Sequence, residues 1–114
     1  MDRQKAVARA NEEPEIEFRP KILRRTLSYD DHSMLCRFRM PKGAAIELHE
    51  HEALQNGFII AGRLRFLRED GTSFEVGPGD GYVFAPWEKH GSEALEESDF
   101  IEFFAPCRPE YIPQ

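Results

Sequence analysis

Three histidines and a glutamine carry the chemistry most worth explaining: His49, His51, Gln55 and His90. Side chains two apart on a strand leave the backbone on the same face, so in ELHEH the imidazoles of His49 and His51 project together, near enough to share one ion. Gln55 falls at or just past the bend into the next strand, where its carboxamide oxygen can reach the same ion. A stable site needs a further ligand from a distant strand. His90 is the candidate, because His32 lies in the polar turn DDHS. Imidazole and amide donors accept several divalent transition ions, Ni, Zn, Mn and Fe among them. Three histidines plus an amide leave such an ion its full charge, which favours Lewis-acid work and stabilises a ferric state less well. An HxH pair alone also arises by chance, and a lone histidine in a β protein is more often simply hydrogen-bonded, so the surroundings must decide.

A second chemical group stands near the end of the chain, in DFIEFFAPCRPEY. Period-two alternation places Phe100, Glu102 and Phe104 on one face and Ile101 and Phe103 on the other, leaving one carboxylate among apolar neighbours. Burial there raises its pKa and suits it to act as an acid or base, unless an arginine of a neighbouring strand pairs with it and it only holds the barrel together. Arg108, after the Pro106-Cys107 turn, either reaches over a pocket mouth as a bidentate clamp for a carboxylate or is simply solvated. Glu47 has the parity of His49 and faces either the same cavity or its rim.

The elements that must position these groups are strands. Residues 1–19 form a polar segment, a short helix around AVARA or a loose stretch, and residues 20–114 the folded domain. From Ile22 onward, short runs of Val, Ile, Leu and Phe alternate with Gly, Pro and Asp, the pattern of an all-β sandwich or barrel. SMLCRFRM turns Met34, Cys36, Phe38 and Met40 to one face. AAIELHEH is the next strand, FIIAGRLRFL a hairpin pivoting at Ala61-Gly62, and EDGT a turn before the strand SFEV. After the loop GPGDG come the strand YVFAP, the short connection WEKH, and the strands SEAL and DFIEFF. The expected architecture is a double-sheet jelly roll of two antiparallel sheets enclosing a pocket.

Composition bounds the function. The 114 residues, 40% hydrophobic and 32% charged, make one domain with one core, and no apolar run is long enough to span a membrane. With 21 acidic against 15 basic side chains the net charge is -6, which disfavours nucleic acid. The N-terminal residues lack the apolar core of a signal peptide, so a cytoplasmic protein is expected. Cys36 and Cys107 lack CxxC spacing and are expected as buried thiols. Edge strands and alternating arginines make a homodimer through sheet extension the expected assembly.

Gly43, His49, His51, Gln55 and Gly62, in that spacing, resemble the first motif of the cupin superfamily, with Gln where an acidic ligand usually stands. GDGYVFAPWEKH, Gly79 to His90, resembles the second motif, with Ala85 and Trp87 in place of the usual proline and glycine and Trp87 expected to fill space near the ligands. The resemblance covers about residues 20 to 112 and implies a cupin jelly-roll barrel with one divalent metal on His49, His51, Gln55 and His90. Leu23 to Asp31, the His-His-Gln-His set and the tail FFAPCRPEY further resemble the small single-domain cupins of pectin and alginate breakdown, which convert 4,5-unsaturated uronates from ring to linear keto acid. That likeness implies an isomerase- or lyase-type enzyme acting on a small carboxylate. It assigns Glu102 to proton transfer, in place of the family's Asp, Phe104 to the substrate's carbon skeleton, and Arg108 to its carboxylate. A mononuclear iron dioxygenase and a non-enzymatic small-ligand or metal-binding module are the alternatives, and small cupins are commonly homodimers.

Overall fold

The structure, a computed structural model, describes residues 4–113. Its strands are β1 (Gln4–Lys5), β2 (Glu15–Arg19), β3 (Ile22–Asp30), β4 (Met34–Met40), β5 (Ala45–His49), β6 (Leu54–Ala61), β7 (Leu64–Arg68), β8 (Ser73–Val76), β9 (Gly81–Phe84), β10 (His90–Ala94) and β11 (Ser98–Ala105), followed by one 3-10 turn at Pro109–Tyr111. They form two antiparallel sheets. The larger runs β1-β3-β4-β11-β6-β9, with β2 also paired to β3; the smaller runs β5-β10-β7-β8. This is the expected all-β jelly roll with two antiparallel sheets. Alternation decides what each strand buries: Met34, Cys36, Phe38 and Met40 point inward from β4, and Phe100, Glu102 and Phe104 from β11.

Two expectations change. The polar N-terminal segment is not helical over its described residues: β1 and β2 pair with β3, and β2 delivers Phe18 to the core, edge-on to Phe38 at 5.6 Å. The strand therefore belongs to the barrel wall, because Phe18 gains a buried aromatic face that a free helix would not offer. The first three residues lie outside the described range. FIIAGRLRFL, in turn, is no hairpin. β6 already has β11 and β9 as neighbours, so β7 leaves for the other sheet, where it pairs with β10 and β8. Gly62, at φ 92°, makes that crossing, and a Cβ there would stand 2.3 Å from the Glu97 carbonyl oxygen.

The core falls into two aromatic groups with the candidate site between them. Phe18, Phe38, Phe100, Phe104 and Tyr111 pack at one end; Phe66, Phe74, Tyr82 and Phe84 pack at the other. Burying each such ring contributes about 2 kcal/mol. Cys36 and Cys107 are both buried, as expected, and desolvation pushes the Cys36 thiol up to about 12. On the outside of the larger sheet Phe58, Ile60, Val83 and Phe103 remain exposed.

Candidate metal centre

The two sheets bring the four predicted ligands together. His49 ends β5, and His90 opens β10 directly opposite it, so the pair are cross-strand neighbours with ring centroids 4.5 Å apart. The connection WEKH thus gives up its last residue to a strand. β5 stops at His49, leaving His51 on the turn into β6, yet its ring still lies 5.5 Å from that of His49. The backbone N–H of Trp87 donates to the His51 carbonyl at 2.8 Å and ties the two motif loops together. The Trp87 side chain does not fill space near the ligands: at φ 64° it points outward and is 60% exposed. Gln55 is buried on β6, in the opposite sheet.

Hydrogen bonding fixes which atoms face the centre. The Nδ1 atoms of His49, His51 and His90 lie 2.9, 2.8 and 2.8 Å from the carbonyl oxygens of Glu47, Ala53 and Glu88. A carbonyl only accepts, so each Nδ1 carries a proton. Burial holds His51 below the usual imidazole range and pushes His90 down to about 4, so both are neutral near pH 7 and their Nε2 atoms bear lone pairs. Gln55 Nε2 donates to Glu102 at 2.7 Å, which turns its Oε1 toward His51 Nε2 at 3.0 Å and His90 Nε2 at 3.2 Å. Lone pairs therefore converge on lone pairs with no proton between them. A cation resolves that arrangement, and the ligand nitrogens of the three histidines, all within 4.8 Å of one another, can hold one. The residues present fit a divalent metal.

Behind the ligands sits the acid. Glu102 is buried, and its Oε2 accepts from Gln55 and from the Tyr82 hydroxyl at 2.6 Å. Desolvation raises its pKa to about 7 against both of those hydrogen bonds. No arginine is within ion-pair distance of it among the described residues, so the alternative of a barrel-holding pair is not what the geometry shows. Tyr82 reaches it because the residue between them is Gly57: the three stand in register across β11, β6 and β9, and a Cβ on Gly57 would lie 2.1 Å from the Tyr82 ring.

These groups open onto one cavity of about 50 Å³, room for a few waters, lined among others by His49, Gln55, His90, Glu102, Phe104 and Arg108. Arg108 lies over the rings of Phe104 and Tyr111, at 5.0 and 4.1 Å, and bonds Glu110 at 3.2 Å, so it is no free surface arginine. Glu47 stands at the rim, exposed, 3.4 Å from Arg19. The sequence reading missed Tyr82, Arg19 and Tyr111. The parity of Tyr82 with Phe84 was available as a signal; nothing local marked the other two, which reach the cavity from the two ends of the chain.

A family model described as Cupin domain matches residues 36–103. The structure is similar to an RmlC-like cupin from Shewanella frigidimarina NCIMB 400, at 20% identity and TM-score 0.88 over 96% of this chain and 98% of that one. It is similar to KdgF from Halomonas sp., at 26% identity and TM-score 0.86 over 95% and 99%. The polyketide cyclase RemF from Streptomyces resistomycificus shares the fold at 21% identity and TM-score 0.75 over 88% and 78%. Among curated protein sequences none matches.

Proposed function

The chain belongs to the cupin domain family, and on that footing we propose that it is a metal-dependent enzyme opening the ring of a small unsaturated sugar acid. The observation that carries the reading is a buried carboxyl with a pKa near neutrality, hydrogen-bonded to the amide whose oxygen faces the histidine cluster. A divalent ion held by His49, His51, Gln55 and His90 would supply Lewis acidity toward a substrate oxygen. Glu102 is poised to take or give a proton near pH 7, and the two donors on Oε2 leave Oε1 free of hydrogen bonds among the described residues. Phe104 offers the carbon skeleton a flat wall, and Arg108 offers its carboxylate a planar fork. The uronate as substrate rests on the tail residues Glu102, Phe104 and Arg108 lining one cavity, together with the likeness to KdgF.

The test begins with protein purified without chelator or nickel resin. One metal per chain is expected, lost in His49→Ala, and the conjugated double bond of 4,5-unsaturated galacturonate should disappear on incubation. Glu102→Gln should keep the metal and lose turnover by roughly 100-fold or more. Oxygen consumption with iron, and no action on the uronate, would replace this reading with the dioxygenase.

The working molecule in this reading is a homodimer joined by sheet faces. Leu35, Ile101, Phe103, Phe58 and Val83 form one contiguous apolar surface across β4, β11, β6 and β9. An antiparallel sheet normally turns a polar face to water.

A further inference from the structure

Arg24 is the most buried arginine of the described residues and has nothing to balance its charge. It points inward from β3 between Ile22 and Thr26, is 5% exposed, and its Nε has no hydrogen-bond partner. No carboxylate lies within ion-pair distance of it among the described residues. Burying a guanidinium costs several kcal/mol unless something compensates it. Here its neighbours are rings: Tyr111 at 4.3 Å and Phe18 at 5.5 Å. Stacking returns only part of that cost. The same Tyr111 ring carries Arg108 at 4.1 Å, so one aromatic side chain contacts two guanidinium groups. Arg19, whose Nε is also buried without a partner, lines the adjoining cavity wall. Three cationic groups thus gather at one end of a chain whose net charge is -6; among the described residues Arg19 pairs with the exposed Glu47 and Arg108 with the exposed Glu110.

The position of the Tyr111 ring explains a second observation. The cavity, about 50 Å³, holds a few waters as it stands, and Tyr111 is part of the wall that narrows it. The ring belongs to the short turn Pro109–Tyr111, anchored by the Thr26 hydroxyl donating to the Tyr111 carbonyl oxygen and by Tyr111 N–H donating to the Arg108 carbonyl at 2.9 Å. A further backbone tie is short-range, Ile112 N–H donating to the Pro109 carbonyl at 3.0 Å, while the ring itself rests edge-on against Phe18, Phe38 and Phe104, contacts that an incoming ligand has to offset. We infer that Arg24 and Arg108 form a two-guanidinium carboxylate subsite that Tyr111 occupies in this structure, and that an anionic ligand takes the ring's place as the turn lifts. The subsite deepens the proposed function and rests on it for the identity of the ligand, although any small carboxylate of suitable size offers the same chemistry. Two planar forks around one carboxylate would also reject the neutral sugar, because leaving a buried guanidinium unpaired is the expensive state.

The probes are D-galacturonate, citrate and, as neutral control, D-galactose, with binding followed by calorimetry and by the Nε–H signals of the arginines in NMR, apart from any turnover. The acids should bind, galactose should not, and the Arg24 Nε–H signal should move on binding. Arg24→Met should weaken binding at least tenfold while the metal stays bound, Arg24→Lys should restore part of it, and Tyr111→Ala should tighten binding or speed it. An Arg24 signal unmoved by every acid, or Arg24→Met binding like wild type while Arg108→Met fails, makes Arg24 a packing residue and overturns the subsite. Acid binding that depends on Arg24, with no action on the unsaturated uronate, upholds the subsite and sinks the uronate reading instead.

Discussion

At the scale of single residues, the site sets two buried titrations against each other. In metal-free protein Glu102 titrates at about 7, above the ordinary carboxyl value near 4.3 of an unfolded chain. Its contribution to stability is fully present below about pH 4 and is lost as the pH rises through 7. His90 runs the other way: held at about 4, below the unfolded value near 6.5, it contributes fully above that value and its contribution is lost as the pH falls through 4. Between about pH 4.5 and 6.5 the two slopes oppose, so removing one exposes the other. Glu102→Gln should therefore gain on wild type steadily from pH 4.5 to 7.5, by up to about 3 kcal/mol across the window. Urea midpoints in the presence of chelator measure it. A wild-type-minus-variant difference that stays constant with pH would mean that Glu102 does not titrate as described.

At the scale of elements, Gly62 decides how the ligands meet. β6 carries Gln55 in the larger sheet, and the crossing at Gly62 lets β7 enter the smaller one beside β10, which carries His90. Gly62→Ala places a Cβ 2.3 Å from one backbone oxygen and 2.4 Å from Ser98 Oγ, in addition to the cost of positive φ. Its loss of stability should be about 3 kcal/mol or more, against about 1 kcal/mol for Gly71→Ala, which has the same backbone hand and open space around it. Equal denaturation midpoints for the two variants would refute the crossing. This element also marks how far the sequence could be read. Period-two alternation made the inward faces of β4 and β11 legible, and with them the direction of Glu102; motif spacing made His49, His51, Gln55 and His90 legible. Which strands pair was not, because Ala-Gly between two apolar runs is equally compatible with a hairpin and with a crossing, and only competition for the edges of β6 separates them. Arg24 was hidden for a related reason: an arginine alternating with apolar residues looks like a solvated face until its parity with Ile22 and Thr26 is set against what those residues bury.

At the scale of the whole molecule, the proposed homodimer would use the outer face of the larger sheet. Phe58, Ile60, Val83 and Phe103 are each at least 40% exposed. Together with Leu35 and Ile101 they leave on the order of 400 Å² of apolar surface, the size of the largest patch on an ordinary monomer, which is often functional, and about half of what one partner contributes to a standard interface. Polar surroundings supply the remainder: Arg37 on the same face is bound to Asp99 at 2.8 Å, so the patch is neutral although the chain is acidic, and two copies approach without like charges meeting at its centre. A shallow groove between Phe58 and Phe103, floored by Gly57, gives each copy a place for the other's ring. An isologous pair uses the same patch twice, which a two-fold axis through the face provides. Light scattering behind a sizing column should return twice the chain mass of 13.2 kDa, and Phe58→Lys with Phe103→Lys should return the monomer with metal content unchanged, since neither side chain faces the cavity. A wild-type monomer at tens of micromolar would leave the face without its partner, and a dimer untouched by the lysines would move the interface to the sheet edges.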